Sequence, residues 1–98
     1  MAKRVLLATK DLFFRSKLQA VVRSAGAEVT REEACDLAVV ELGAGQIETV
    51  RRLLEKGLTV LAFGSHVEPE VLREARKLGA RAVPNSEIES ALRALLSA

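Results

Sequence analysis

The chain has no tryptophan or tyrosine, only three phenylalanines, one cysteine, one histidine and two prolines. A single cysteine cannot close an intrachain disulfide, and a cysteine-based metal site needs more ligands than this chain supplies. Phe13, Phe14 and Phe63 are too few for the stacking platform of a single-strand nucleic-acid binder. No apolar run approaches the ~20 residues that span a bilayer. The start, Met1-Ala2-Lys3-Arg4-Val5, lacks the n-region, h-region and cleavage site of a signal peptide. The expected location is therefore cytoplasmic, away from membranes. Thermolabile amides are also scarce, one Asn and two Gln, and ten of the fifteen bases are Arg, a balance that suits a thermophile.

The net charge of +2 is too small to imply a nucleic-acid or membrane partner. Its distribution is uneven. Residues 1–31 hold seven bases against two acids, or +5, and the remainder holds eight against eleven, or −3. An ordinary solvated helix face accounts for the basic segment, with an acidic partner as the alternative.

What the 98 residues do contain is alternation. A chain of this length buries roughly 60–65% of its unfolded surface, enough for one sheet and a few helices in a single domain, 1–98. Arg4-Val5-Leu6-Leu7-Ala8-Thr9 is a short β-branched and leucine run, the pattern of a strand buried on both faces. From Asp11 the period changes: Phe14, Leu18, Val21, Val22 and Ala25 form a helical stripe, with Gly26 in the C′ position. Residues 27–30 are a brief strand candidate, and 36–42 a second fully buried strand. Gly43-Ala44-Gly45 leads into a helix carrying Ile47, Val50 and Leu54, closed by Gly57, and 58–63 is the third strong strand. Pro69 suits a first helical turn, with Val71, Leu72, Ala75 and Leu78 as its stripe before Gly79. Residues 80–83 form a weak last strand. Ser86-Glu87-Ile88-Glu89 has the capping-box pattern ahead of Leu92, Leu95 and Leu96.

This order predicts an α/β fold: three layers, a parallel sheet of about five strands, helices on both faces. One interval is irregular. Only Arg31-Glu32-Glu33-Ala34-Cys35 separate the second and third strands, where a parallel crossover normally takes a dozen residues. The second crossover helix is therefore expected to shrink to a single turn.

In open α/β sheets, ligands bind at the carboxyl ends of the strands. The residues expected there are Thr9-Lys10-Asp11, Glu41-Leu42-Gly43, Gly64-Ser65-His66 and Pro84-Asn85-Ser86. With these in place, the sequence resembles the receiver domains of two-component response regulators over nearly its whole length. The resemblance rests on residues 4–11, on 36–42 and on Leu78-Gly79-Ala80 before the last strand. It implies the flavodoxin-like strand order 2-1-3-4-5 and a signalling or protein-interaction role. It also implies that the phosphorylation chemistry is gone. Where receivers hold Mg²⁺ with paired acids, this chain offers Thr9 and Lys10, with Asp11 one place too late. Glu41 stands where the phospho-accepting Asp would be. Gly64, beside Ser65, occupies the switch Thr/Ser position. Val83 falls near the aromatic switch, and Asn85 or Ser86 near the essential Lys.

Acyl-phosphate formation on a carboxylate needs a divalent cation, and the cation needs hard oxygen ligands. Lys10 would instead place a fixed positive charge at that point, and a Lys10–Glu41 pair, direct or through water, is the expected replacement for the metal-carboxylate site. No catalytic, metal or cofactor residue is expected elsewhere. Ser65, His66 and Asp11 do not make a nucleophilic trio, since Phe63-Gly64-Ser65-His66-Val67 lacks the G-x-S-x-G elbow. Ser65 is expected to cap a turn. Gly43-x-Gly45 is too short for a dinucleotide fingerprint. Cys35 reads as a small buried hydrophobe. A second reading stays open, a phosphate- or nucleotide-binding protein that uses helix N-termini with Lys10, Ser65 and His66.

The resemblance also implies a partner or homodimer face on the third long helix, the last strand and the last helix. Arg73, Arg76, Lys77 and Arg81 fall there with Glu70 and Glu74 among them, mixed signs that permit a twofold contact. Ala82 and Val83 are the expected apolar centre of that face.

Overall fold

The computed structural model describes residues 2–43 and 45–97. In chain order they form β1 (Arg4–Ala8), α1 (Leu12–Ser24), β2 (Glu28–Thr30), β3 (Leu37–Glu41), α2 (Gln46–Glu55), β4 (Thr59–Gly64), α3 (Pro69–Leu78), β5 (Arg81–Pro84), a 3₁₀ turn (Asn85–Glu87) and α4 (Ile88–Ser97). All strand pairs are parallel, in the order β2–β1–β3–β4–β5. The brief segment at 27–30 thus holds a true edge strand over Glu28–Thr30, with Val5 opposite Val29. Ala44, in the lead-in to α2, lies outside the described residues.

The sheet separates two apolar cores. On one face α1 and α4 bring Leu18, Val21, Val22, Ile88 and Leu92 against Val5, Leu7, Val39, Leu61 and Phe63. On the other, α2 and α3 bring Val50, Leu53, Leu72 and Ala75 against Ala38, Val40, Val60 and Ala62. Covered on both sides, β3 is buried from Leu37 to Val40 and β4 from Val60 to Gly64.

β1 departs from the expectation of burial on both faces. Val5 and Leu7 are buried, but Arg4, Leu6 and Ala8 are only half-buried. The cause is the shortened crossover. The helical turn expected over 31–35 does not form; residues 31–36 run as consecutive bends, and Leu6 and Ala8 stay only partly covered at the rim of the α2–α3 core.

Polar contacts hold this strap instead. The Arg4 guanidinium donates to the Ala34 carbonyl (3.1 Å) and Thr30 Oγ1 (3.0 Å), and its Nη2 lies 3.3 Å from Glu32. The Arg4 amide donates to Asp36 Oδ2 at 2.8 Å, and the Asp36 amide returns a bond to the Arg4 carbonyl at 2.9 Å. Glu33 reaches the last turn of α2, pairing with Arg52 at 2.5 Å and with Lys56. The hydrogen bond from Arg52, joined by that from Lys56, lowers the Glu33 carboxyl to about 2.

Local chemistry explains the other element ends. Asp11 N-caps α1, its Oδ1 accepting from the amides of Phe13 (2.9 Å) and Phe14 (3.3 Å). Gly26 follows that helix at φ +77° and Gly79 ends α3 at φ +112°, left-handed conformations that side chains resist. The Ser86–Glu89 capping box is not used, because the 3₁₀ turn takes up Ser86 before α4 begins.

Candidate functional site

The carboxyl ends of β1 and β3 lie side by side, since Ala8 pairs with Val40. One step further on, Thr9 and Glu41 become neighbours. Thr9 is 8% exposed, the one buried polar side chain among the described residues, so its hydroxyl needs a partner inside the fold. Glu41 supplies it. Its Oε1 accepts from the Thr9 hydroxyl and from the backbone amides of Lys10 (3.2 Å) and Asp11 (3.3 Å). One carboxylate oxygen thereby closes over the whole β1–α1 loop.

Lys10 and Glu41 share this site, but not as a direct ion pair. Only the Lys10 backbone reaches Glu41, and no Lys10–Glu41 contact falls within 4.0 Å among the ion pairs of the described residues. Glu41 has a neutral hydroxyl and two amides already in place, and the exposed ammonium stays in water, where a surface pair would gain little. Together the two residues line an open hollow of about 260 Å³ with Ala8, Leu42, Gly43 and Gln46.

A neighbouring hollow of about 130 Å³ gathers Glu41, Gly64, Ser65, Glu68 and Asn85, with Leu42, Val71 and Leu72 among its apolar lining. Gly64 is buried, and a Cβ there would come 3.3 Å from Leu42 Cβ and 3.7 Å from Leu72 Cδ2. A side chain at this position would therefore crowd Leu42, which would have to give by a few tenths of an ångström. Ser65 caps a turn as expected, its Oγ accepting from the Val67 amide at 3.3 Å. His66 and Ser86 are exposed and line neither hollow. Asp11 is spent on its helix cap, so Ser65, His66 and Asp11 form no relay. Among the described residues no group of three or more His, Cys, Asp or Glu could hold a metal ion.

The geometry assigns roles to residues whose sequence context gave little signal. Leu42 looks like the last residue of a buried strand, yet it shapes both hollows. The register of β1 against β3 is the one clue that could have paired Thr9 with Glu41.

At the expected partner face, Arg73, Arg76, Lys77 and Arg81 are all exposed. Arg76 is committed: its Nε and Nη2 donate to the Ala82 carbonyl of edge strand β5 at 3.1 and 2.7 Å. The expected apolar centre is absent, because Ala82 is buried and Val83 packs partly into the α1–α4 core.

No protein-family model matches the chain, and no curated protein matches it. Solved structures do. The BeF3-activated receiver domain of DrrB superposes with a TM-score of 0.83 at 16% identity, covering 99% of this chain and 96% of that one. A response regulator from Thermotoga maritima covers 100% of both chains, with a TM-score of 0.80 at 15% identity. A CheY-like protein, TadZ, from Pseudomonas aeruginosa PAO1 covers 97% of both at 20% identity, with a TM-score of 0.75. This is the receiver fold. Within it, Glu41 ends the third strand, and a run of bends stands between the second and third strands. Among the described residues no helix is long and apolar enough to cross a membrane.

Proposed function

We propose that this chain is a phosphorylation-independent receiver-fold module that works by binding protein partners and catalyses no reaction. The observation that carries this reading is the Glu41 carboxylate accepting from the Thr9 hydroxyl and from the amides of Lys10 and Asp11. An internal side chain thereby holds the loop beside the site in one arrangement, with no added group required. Glu41 also supplies a fixed negative charge one methylene beyond the reach of an Asp.

The same contacts weigh against a phosphate or nucleotide site at this helix start. The amides of Lys10 and Asp11 go to Glu41, and those of Phe13 and Phe14 go to Asp11. The donors an incoming anion would use already serve the chain's own carboxylates. The partner surface we propose is the α3–β5–α4 face, with Arg73, Lys77 and Arg81 contacting an acidic surface and Arg76 holding the β5 edge.

Intact-mass spectrometry after treatment with acetyl phosphate and Mg²⁺ tests the reading. The expected result is an unmodified chain; a stoichiometric phosphoryl adduct that disappears in Glu41→Ala overturns it. Melting curves against phosphate and nucleotides are expected to be flat, and a saturable rise would favour the anion-binding alternative.

A further inference from the structure

The large hydrophobic side chains that stay exposed among the described residues are Leu12 (78%), Phe13 (63%) and Val67 (70%). All three lie at one end of the molecule, the carboxyl edge of the sheet. Leu12 and Phe13 begin α1 on one face, and Val67 precedes α3 on the other. Their charged surroundings are opposite in sign. Lys10 and the helix-capping Asp11 precede the first pair, Arg15 follows it, and the Lys17 ammonium sits 4.3 Å over the Phe13 ring, so bases outnumber acids there. Val67 is followed by the exposed acids Glu68 and Glu70. Among the described residues, Lys10, Glu68 and Glu70 have no ion-pair partner within 4.0 Å, whereas Lys17 has Glu89 at 3.4 Å.

We propose that these two patches are complementary halves of one interface and that their occupant is a second copy of this chain. A twofold axis across the carboxyl edge exchanges two points on opposite sides of that edge. It sets the Leu12–Phe13 patch of each copy against the Val67 patch of its partner. Each apolar centre is then covered, and Lys10 of each copy comes beside the unpaired acids of the other, so the contact closes at two copies. The dimer would bring the two Glu41 sites face to face. This interface shares Glu70 at the start of α3 with the α3–β5–α4 surface but uses none of Arg73, Lys77 or Arg81, so charge reversal at Arg73 and Arg81 distinguishes the two.

Sedimentation velocity over the micromolar range in low salt tests the proposal. The expected result is a monomer–dimer equilibrium that weakens as salt is raised. Glu68→Lys/Glu70→Lys and Lys10→Glu/Lys17→Glu should each weaken self-association by about tenfold or more, and Val67→Ser should weaken it as well. An equimolar mixture of the two charge-reversed proteins should again dimerise, because both contacts then join opposite charges. A wild-type monomer at every concentration overturns the proposal. So does a dimer that neither Glu68→Lys/Glu70→Lys nor Val67→Ser affects. Failure of the mixture to associate, with both variants keeping wild-type amide spectra, overturns it too. Loss of the dimer in Arg73→Glu/Arg81→Glu alone would place self-association on the α3–β5–α4 face.

Discussion

The hydroxyl of Thr9 donates to the carboxylate of Glu41 across the adjoining ends of β1 and β3, and that oxygen also accepts the next two backbone amides. Removing either side chain strips the loop of the same contact. Thr9→Val should cost about 1 kcal/mol and Glu41→Ala about 2 kcal/mol. In the double variant the effects should fall short of their sum by about 1 kcal/mol in urea denaturation. Strict additivity would show that the contact contributes nothing to the fold.

Lys10→Ala provides the contrast. Its ammonium makes no ion pair with Glu41 among the described residues, and its amide survives the substitution. Stability should stay within about 0.5 kcal/mol of wild type. A larger loss would restore the ion pair that the sequence suggested.

Gly64→Ser brings back the side-chain type expected at a switch position, and it should be destabilising. The new Cβ would lie 3.3 Å from Leu42 Cβ in a buried place, an overpacking cost of about 1–3 kcal/mol. Leu42→Ala should relieve part of that cost, so melting temperatures of the single and double variants check the steric account.

Glu33 makes the strap sensitive to acid. Its folded value of about 2 lies below the ordinary 4.5, so the stabilising contribution is complete above 4.5 and is lost as pH falls through about 2. Stability should decline across that window, and Glu33→Gln should flatten the corresponding part of the profile. An identical acid limb in wild type and Glu33→Gln would contradict the assignment.

Arg76→Ala should bare the Ala82 carbonyl on the sheet's edge. The expected result is a loss of about 1–2 kcal/mol and a greater tendency to aggregate on heating, followed by light scattering. A variant as soluble and as stable as wild type would show that the guanidinium is not needed there.

The repeating order of strands and amphipathic helices was legible because burial imposes its period on the sequence. Leu37–Val40 and the α1 stripe of Leu18, Val21 and Val22 sit where their spacing put them. The five-residue interval at 31–35 signalled that no full crossover helix fits there, but the single helical turn expected in it does not form. Its filling was illegible, because the contacts of Arg4 with Thr30 and Glu32, and of Glu33 with Arg52 and Lys56, join residues with no local periodicity. At the site, the neighbourhood of Lys10 and Glu41 followed from topology. The atoms that meet did not: backbone amides and side-chain ammonium groups are equally available to a carboxylate until the loop's path is known. Arg76 shows the same limit, as a charge at helical spacing does not reveal that its fork is turned onto a strand carbonyl.

The helix-free strap between β2 and β3 divides the molecule's cohesion unevenly. β3 and β4 rest on packed side chains on both faces, while the three-residue β2 has one ladder to β1 and the half-buried Val29, and the bends after it are tied down by guanidinium and carboxylate groups near water. Such ties loosen with salt and acid in conditions that leave an apolar core intact. The β2 edge is therefore expected to be the first unit to open, its amides exchanging with solvent faster than those of the other four strands.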